Sequence, residues 1–326
     1  MNRDDLIAIF LARNGFSPTQ MGPLAQDAGF RRYLRILGDR PAVLMDAPPP
    51  EDIRPFLHIA AHLRAVGVRV PAILAADEAC GLILEEDLGD DLVSLLLDRG
   101  DPPGPLLDAA VDALIIMQRS YPPDGLPLWD GPAMTATAIS TLFDWWWPAR
   151  FGGPAPQAAR DDVAAALATM LEPLAASPQS FVHRDFFVGN LLRQPDGQFA
   201  IIDFQGAAVG HPAYDLVSLL LDARRDIPPA ARHRALARYL LARPDLNGAD
   251  FRTAFAVSAA QRHLRVACQW VRLALRDNRP QYLAYGPRTW RLLEDALSHP
   301  TAEPLAAAMN RWIPRAARGN PPGLEP

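Results

Sequence analysis

Residues 183–190 read HRDFFVGN, and residues 200–204 read AIIDF. No other part of the chain constrains its fold and chemistry as tightly. Asn190 follows Asp185 by five residues, and Asp203 follows Asn190 by thirteen, at the end of an apolar run. Pro195, Asp196 and Gly197 lie between them and predict a hairpin turn. A hairpin of that length returns the side chains of Asn190 and Asp203 to one place. A carboxylate in an exposed loop, here Asp185, can accept a proton from a hydroxyl. Hard cations such as Mg²⁺ take oxygen ligands, usually one or two carboxylates together with phosphates. A base, an amide oxygen and a metal-binding carboxylate at these offsets are the components of phosphoryl transfer to a hydroxyl. The alternative is a structural aspartate in a turn, with Asn190 capping a strand.

The remaining patterns divide the chain unevenly. Residues 3–14 predict a helix, residues 30–37 and 42–46 two strands joined by a turn, and 51–66 a helix with Pro55 in its first turn. VPAILAAD and GLILEED predict another strand pair. From Gly89 onward the apolar spacing is helical, over 91–98, 105–119, 134–147, 158–175, 230–242, 250–277 and 289–297. Only 181–204 departs from it. The expected architecture is α+β, with a sheet-rich lobe over 1–88 and a larger helical lobe over 89–326, and a cleft between lobes is where a ligand is expected.

The formal net charge of −5 argues against nucleic acid or an anionic membrane as partner. No apolar run is long enough to span a bilayer. The two cysteines, Cys80 and Cys268, form no metal or disulfide pattern, and the N-terminal stretch lacks a basic leader. A cytoplasmic protein with no protein partner is expected. All 32 Lys plus Arg residues are arginine, so the chain contains no lysine.

The spacing H-R-D-x4-N followed by D-F is that of protein-kinase catalytic and metal loops. With GHPAYDLVSLL after it, the strip resembles the aminoglycoside phosphotransferase-like kinases, the small-molecule branch of that fold. DAGFRRYLRI, VLMDAPPPED, DLGDDLVSLL and IDFQGAAVGHPAYDLVSLLLDARRD narrow the resemblance to bacterial kinases that phosphorylate the anomeric hydroxyl of N-acetylated amino sugars during cell-wall recycling. It spans roughly residues 25 to 226. The resemblance implies a bilobal protein-kinase-like fold, ATP and Mg²⁺ as cofactors, and a small-molecule sugar as substrate. It implies that Asp185 orients or deprotonates the acceptor hydroxyl, that Asn190 and Asp203 hold the metal, and that His183 and Asp215 support the loop. The backbone around Glu86 and Leu88 is expected to read the adenine edge, with Ala42 and Leu84 as pocket walls and Ile202 as its floor.

Two departures from the kinase pattern bear on the phosphates. The lysine of the third strand is missing, with Met45 or a neighbour in its place. Arg31 and Arg32 point to opposite faces of their strand by alternation, and Arg32 is the expected substitute. The phosphate-covering loop, LAQDAGF, has Gly29 as its only glycine and no G-x-G-x-x-G, so its grip on phosphate is expected from backbone amides and the small side chains of Ala28 and Gly29. For the acceptor, LFDWWWPARFGG offers Asp144, Trp146 and Arg150, because three adjacent tryptophans cannot share one helix face. Arg262, Arg265, Gln269, Arg272 and Arg276 form a stripe on one predicted helix. Such a stripe is ordinarily solvated; alternatively its cleft end, Arg262 and Arg265, meets an acid group on the sugar. Other acceptors in the same fold (aminoglycosides, choline, homoserine, methylthioribose) and a catalytically weak nucleotide-binding regulator are the competing readings.

Overall fold

The computed structural model describes residues 2–17, 20–24, 31–38, 40–176 and 178–324. The first hundred residues mix five strands with three helices and the remainder is mostly helical, in two compact units: Met1–Asp101 with Gly189–Gln205, and Pro102–Val188 with Gly206–Pro326. The strip Gly189–Gln205 therefore groups with the first unit although it lies far along the chain.

The first unit opens with helix α1 (Arg3–Arg13), capped by Asn2, whose side chain accepts the Asp5 N–H while the Asp5 carboxylate accepts the Asn2 N–H. Strands β1 (Gln20–Pro23), β2 (Arg32–Leu37) and β3 (Ala42–Asp46) precede helix α2 (Arg54–Ala65), and β4 (Ile73–Asp77), β5 (Leu82–Glu86) and helix α3 (Val93–Asp98) follow it. The five strands form one antiparallel sheet in the order β1-β2-β3-β5-β4.

Side-chain alternation gives this sheet two distinct faces. Ile36, Ala42, Leu44, Leu82 and Leu84 pack under α1 with Ile7, Phe10, Leu11 and Phe16. The alternate positions, Tyr33, Val43, Met45, Ile83 and Glu85, therefore occupy the opposite face. A short hairpin, Leu191–Arg193 paired with Phe199–Ile201, completes the unit. Its ties are the Ile201 N–H to the Arg69 carbonyl (2.9 Å), the Arg193 N–H to the Asp91 carbonyl (2.9 Å), and a bridge between Leu92 and Leu192. Phe204 stacks on Phe56 of α2, with ring centroids 4.7 Å apart.

The second unit contains helices α4 (Pro103–Arg119), α5 (Gly131–Ser140), α6 (Trp147–Phe151), α7 (Gln157–Leu171), α8 (Ala213–Leu220), α9 (Pro229–Ala242), α10 (Gly248–Arg276), α11 (Gly286–Leu297) and α12 (Glu303–Trp312). A π-helical turn, Thr141–Trp146, joins α5 to α6. The 29-residue α10 is the axis of the unit and packs against α5, α8, α11 and the π turn. Every residue from Val257 to Leu264 on it is buried, including Gln261, Arg262 and His263. Buried polar groups require partners. Gln261 donates to the Met134 carbonyl (2.7 Å), and the His263 ring meets the Leu221 carbonyl (3.0 Å). Among the described residues no helix is long and apolar enough to cross a membrane.

Candidate active site

The short strand Ser180–Val182 delivers the chain to His183, Arg184 and Asp185 in the second unit. Arg184 adopts a left-handed conformation (φ 75°), uncommon for a residue with a side chain. Such strain persists only where neighbours over-determine it. Here Asp215, in the first turn of α8, accepts the backbone N–H groups of His183 (2.7 Å) and Arg184 (2.9 Å) through its two carboxylate oxygens. Burial pushes the Asp215 carboxyl up to about 6, although the two N–H donors and nearby His183 favour its charged form. His183 is itself buried, and its Nδ1 accepts the Asp185 N–H at 3.3 Å. Phe186, Phe187 and Val188 are buried immediately afterwards, so the chain is pinned on both sides of Asp185, whose side chain is 56% exposed.

Arginines converge on this carboxylate. The Arg262 guanidinium is almost fully buried, donates to the Arg184 carbonyl (3.2 Å) and lies 3.8 Å from Asp185 Oδ1. Arg265 donates to the Tyr214 hydroxyl at 3.3 Å. Arg184 lies over the Trp129 ring at 4.0 Å, Arg265 at 6.0 Å, and Arg262 over Tyr214 at 5.5 Å. Trp129 and Tyr214 meet edge to face, so they form one aromatic floor beneath three cations. Arg224 covers Phe187 at 4.1 Å. Crowding of protein around Asp185 opposes ionisation, but the half-open side chain weakens that opposition. Arg262, Arg265, His183 and Arg224 together outweigh it and hold the carboxyl below its ordinary value. Asp185 is therefore an ionised acceptor at neutral pH, suited to orienting a hydroxyl more than to capturing its proton early.

The other carboxylate of the strip lies in the first unit. Asp203, also left-handed (φ 62°), sits just past the hairpin strand. Its Oδ2 accepts from Asn190 Nδ2 (3.4 Å) and its Oδ1 from Gln205 Nε2 (2.6 Å), while the Ile202 N–H donates to the Asn190 carbonyl (3.1 Å). One carboxylate with a side-chain amide against it is a hard, oxygen-bearing pair. That chemistry fits Mg²⁺, which keeps several waters and shares the rest of its shell with phosphate. Tyr33 lies within electrostatic reach of both Asp203 and Glu85, and burial pushes its phenol up. Glu85 is buried, its Oε2 has no hydrogen-bond partner, and burial alone pushes its carboxyl up to about 8.

The other expected site residues are scattered more widely. Ala28 and Gly29 lie outside the described residues. Ala42 and Leu84 are fully buried on the α1 face of the sheet, opposite to the face carrying Tyr33 and Glu85, so they are core and not pocket wall. Arg32 also departs from expectation: its guanidinium pairs with the buried Asp46, which Arg3 of α1 shares. Arg31, by alternation, belongs to the Tyr33 face, and its Nε contacts Glu51 at 3.3 Å. The Glu86 carboxylate pairs with Arg69 (2.5 and 2.8 Å) and its N–H donates to the Ala72 carbonyl. The Leu88 carbonyl accepts from Gln194 (3.4 Å), and Ile202 is half-buried.

In the aromatic run Trp146 is wholly buried, packed on Trp290 and Phe151, and its indole N–H donates to the Gly319 carbonyl (2.8 Å). It therefore has no face to offer a sugar. Asp144 pairs with Arg160 (2.5 Å) and accepts from Ser140, and Arg150 donates to the Ala316 carbonyl. The arginine stripe is buried at Arg262 and exposed at Arg276, not uniformly solvated. The sequence reading missed Arg184, Arg224, Tyr33, Glu85 and Gln205. Arg184 stands inside the H-R-D motif, and that position was the available signal.

A model of the phosphotransferase enzyme family matches residues 21–255. An N-acetylmuramate/N-acetylglucosamine kinase of Caulobacter vibrioides is 33% identical, covering 96% of this chain and 97% of its own. A protein of the same name from Pseudomonas aeruginosa is 35% identical, covering 86% and 85%. Among solved structures, a choline/ethanolamine kinase family protein from Mesorhizobium loti superposes with a TM-score of 0.64 at 18% identity, covering 95% of this chain and all of that one. A GDP complex of an aminoglycoside 2'-phosphotransferase gives 0.61 at 15% identity, covering 94% of this chain and all of that one. At those identities the likeness is one of fold.

Proposed function

Because the chain belongs to the phosphotransferase enzyme family, we propose that it transfers the terminal phosphate of ATP to the C1 hydroxyl of N-acetylmuramate and N-acetylglucosamine. The observation that carries this reading is that relatives bearing that activity in their names match nearly the whole chain at 33–35% identity. The local chemistry supports it. Asp185 accepts a hydrogen bond from the acceptor hydroxyl and takes its proton as the new oxygen–phosphorus bond forms and the bond to the leaving ADP breaks. An anomeric hydroxyl is more acidic than other sugar hydroxyls. A carboxylate held at low pKa by arginines is therefore an adequate partner, and its main contribution is aim. Asp215, locked to the His183 and Arg184 backbone, fixes the direction of Asp185.

Asp203 and Asn190 would hold Mg²⁺, which when bound neutralises charge on the transferred phosphate. Gln205, donating to Asp203 Oδ1, orients the carboxylate beside Asn190. Cationic acceptors such as choline or an aminoglycoside fit less well, because four arginines surround or approach Asp185.

The test is phosphorus NMR on products formed from ATP, Mg²⁺ and each sugar. A sugar 1-phosphate, unreactive in a reducing-sugar assay because C1 is blocked, is the expected product. A phosphorylated sugar that still reduces places the new bond elsewhere on the ring and overturns the reading.

A further inference from the structure

We infer that Arg184 and Arg265 form a receptor for a carboxylate on the acceptor, so that the acid-bearing amino sugar is the preferred substrate of this enzyme. The inference rests on the amino-sugar kinase reading and asks which of the two sugars the site is built for. N-acetylmuramate differs from N-acetylglucosamine by a lactyl ether that ends in a carboxylate.

The argument begins with what these two arginines lack. The Nε atoms of both Arg184 and Arg265 are screened from solvent and have no hydrogen-bond partner. Among the described residues neither guanidinium has a carboxylate within salt-bridge distance. The two share the Trp129 ring, and burial, with the charge of Arg265 added to it, makes the charge of Arg184 harder to hold. Like charges gathered in a partly dehydrated place are costly unless an anion joins them. A carboxylate is the complement of a guanidinium fork, and a pair of forks can hold its two oxygens.

The neighbouring charged groups leave this role open. Asp215 is committed to the backbone N–H groups of His183 and Arg184, and Asp222 accepts the Arg224 N–H at 2.8 Å. Asp185 is adjacent, but Arg262 is the arginine drawn up to it. Arg262 is therefore occupied by the loop, and the ligand-reading function falls to Arg184 and Arg265. Arg224, which lies over Phe187 and also lowers the Asp185 pKa, adds a further positive charge nearby.

A phosphate of the nucleotide presents the same chemistry as a carboxylate. The acceptor is favoured because Arg184 and Arg265 belong to the unit that carries Asp185, whereas Asn190 and Asp203 belong to the other.

Steady-state kinetics on the whole protein separate the sources. For the wild type we expect KM for N-acetylmuramate at least tenfold below that for its neutral lactyl amide. Arg265→Gln should raise KM for the acid about tenfold, with shifts under threefold for N-acetylglucosamine and for ATP. Equal KM for acid and amide in the wild type overturns the inference, and that comparison needs no variant to fold. An Arg265→Gln loss shared equally by both sugars and ATP also overturns it, assigning the guanidinium to phosphate or to loop packing. A wild type that phosphorylates neither sugar overturns the kinase reading, and this inference with it; turnover without discrimination overturns the inference alone.

Discussion

The tryptophan run around residue 146 and the arginines around Asp185 lie in the same unit, and each takes polar groups out of water. They do so with opposite outcomes. Trp146 buries its indole with the N–H satisfied by Gly319 and its ring packed on Trp290 and Phe151. Arg184 and Arg265 bury Nε atoms that meet no acceptor. The Trp146 indole is satisfied, although Trp290 Nε1 beside it meets no partner; in the second cluster the unmet donors belong to charged groups. An unmet neutral N–H costs less than an unmet charge, and that difference is what sets the two clusters apart.

The sharpest way to break this contrast is at its functional pole. Asp185→Asn should lower kcat by about 10²–10⁴-fold, while the exposed position of the side chain keeps the thermal midpoint within about 3 °C of wild type. A kcat within tenfold of wild type would remove Asp185 from the reaction. At the structural pole, Trp146→Ala should cost about 3–5 kcal/mol in urea unfolding and leave kcat per folded molecule nearly intact. A large rise in sugar KM with unchanged stability would return Trp146 to the acceptor site.

Glu85 extends the contrast to the sheet. Its folded pKa, about 8, lies above its ordinary value of 4.5. Between those values the unfolded chain is ionised while the folded one keeps its proton. Stability should therefore fall as pH rises from 4.5 to 8, at up to about 1.4 kcal/mol per pH unit, and level off above. Glu85→Gln should lack that slope, so unfolding midpoints of the two proteins measured at pH 5 and pH 8 test it. Parallel pH profiles would show that Glu85 is ionised in the folded protein. The smallest effect is expected at Asp144, an exposed partner of Arg160. Asp144→Ala should change stability by less than about 1 kcal/mol and sugar KM by less than twofold.

The parts of this molecule legible in the sequence are those with a repeating period or a marked turn. β2 and β3 are short runs on either side of the sequence GDRP, and α2, α4 and α10 keep a helical stripe, so each is visible with ends good to a few residues. The strands Gln20–Pro23, Leu128–Trp129 and Ala208–Gly210 are too short to show a period, and α12, Glu303–Trp312, lies beyond the helical stretches legible in the sequence. The motif singles out Asp185, Asn190 and Asp203, and the structure brings Asn190 against Asp203 as the hairpin spacing implies. The lining positions were harder. Alternation separates Arg31 from Arg32 and Ala42 from Val43, but only the packing of α1 decides which face is core. Likewise no spacing rule distinguishes a tryptophan that packs from one that binds; that depends on Gly319 and Trp290, far along the chain.

The return of Gly189–Gln205 to the first unit has a consequence for how the protein is made. At about 5–20 residues per second, the ribosome needs roughly 5–20 s to go from Asp101 to Gln205. Throughout that interval Phe56 waits for Phe204 and Leu92 for Leu192. The nascent sheet thus emerges with an apolar flank uncovered. Chaperone capture, or a delay in translation, would act during that wait, before the last hairpin of the unit has been synthesised.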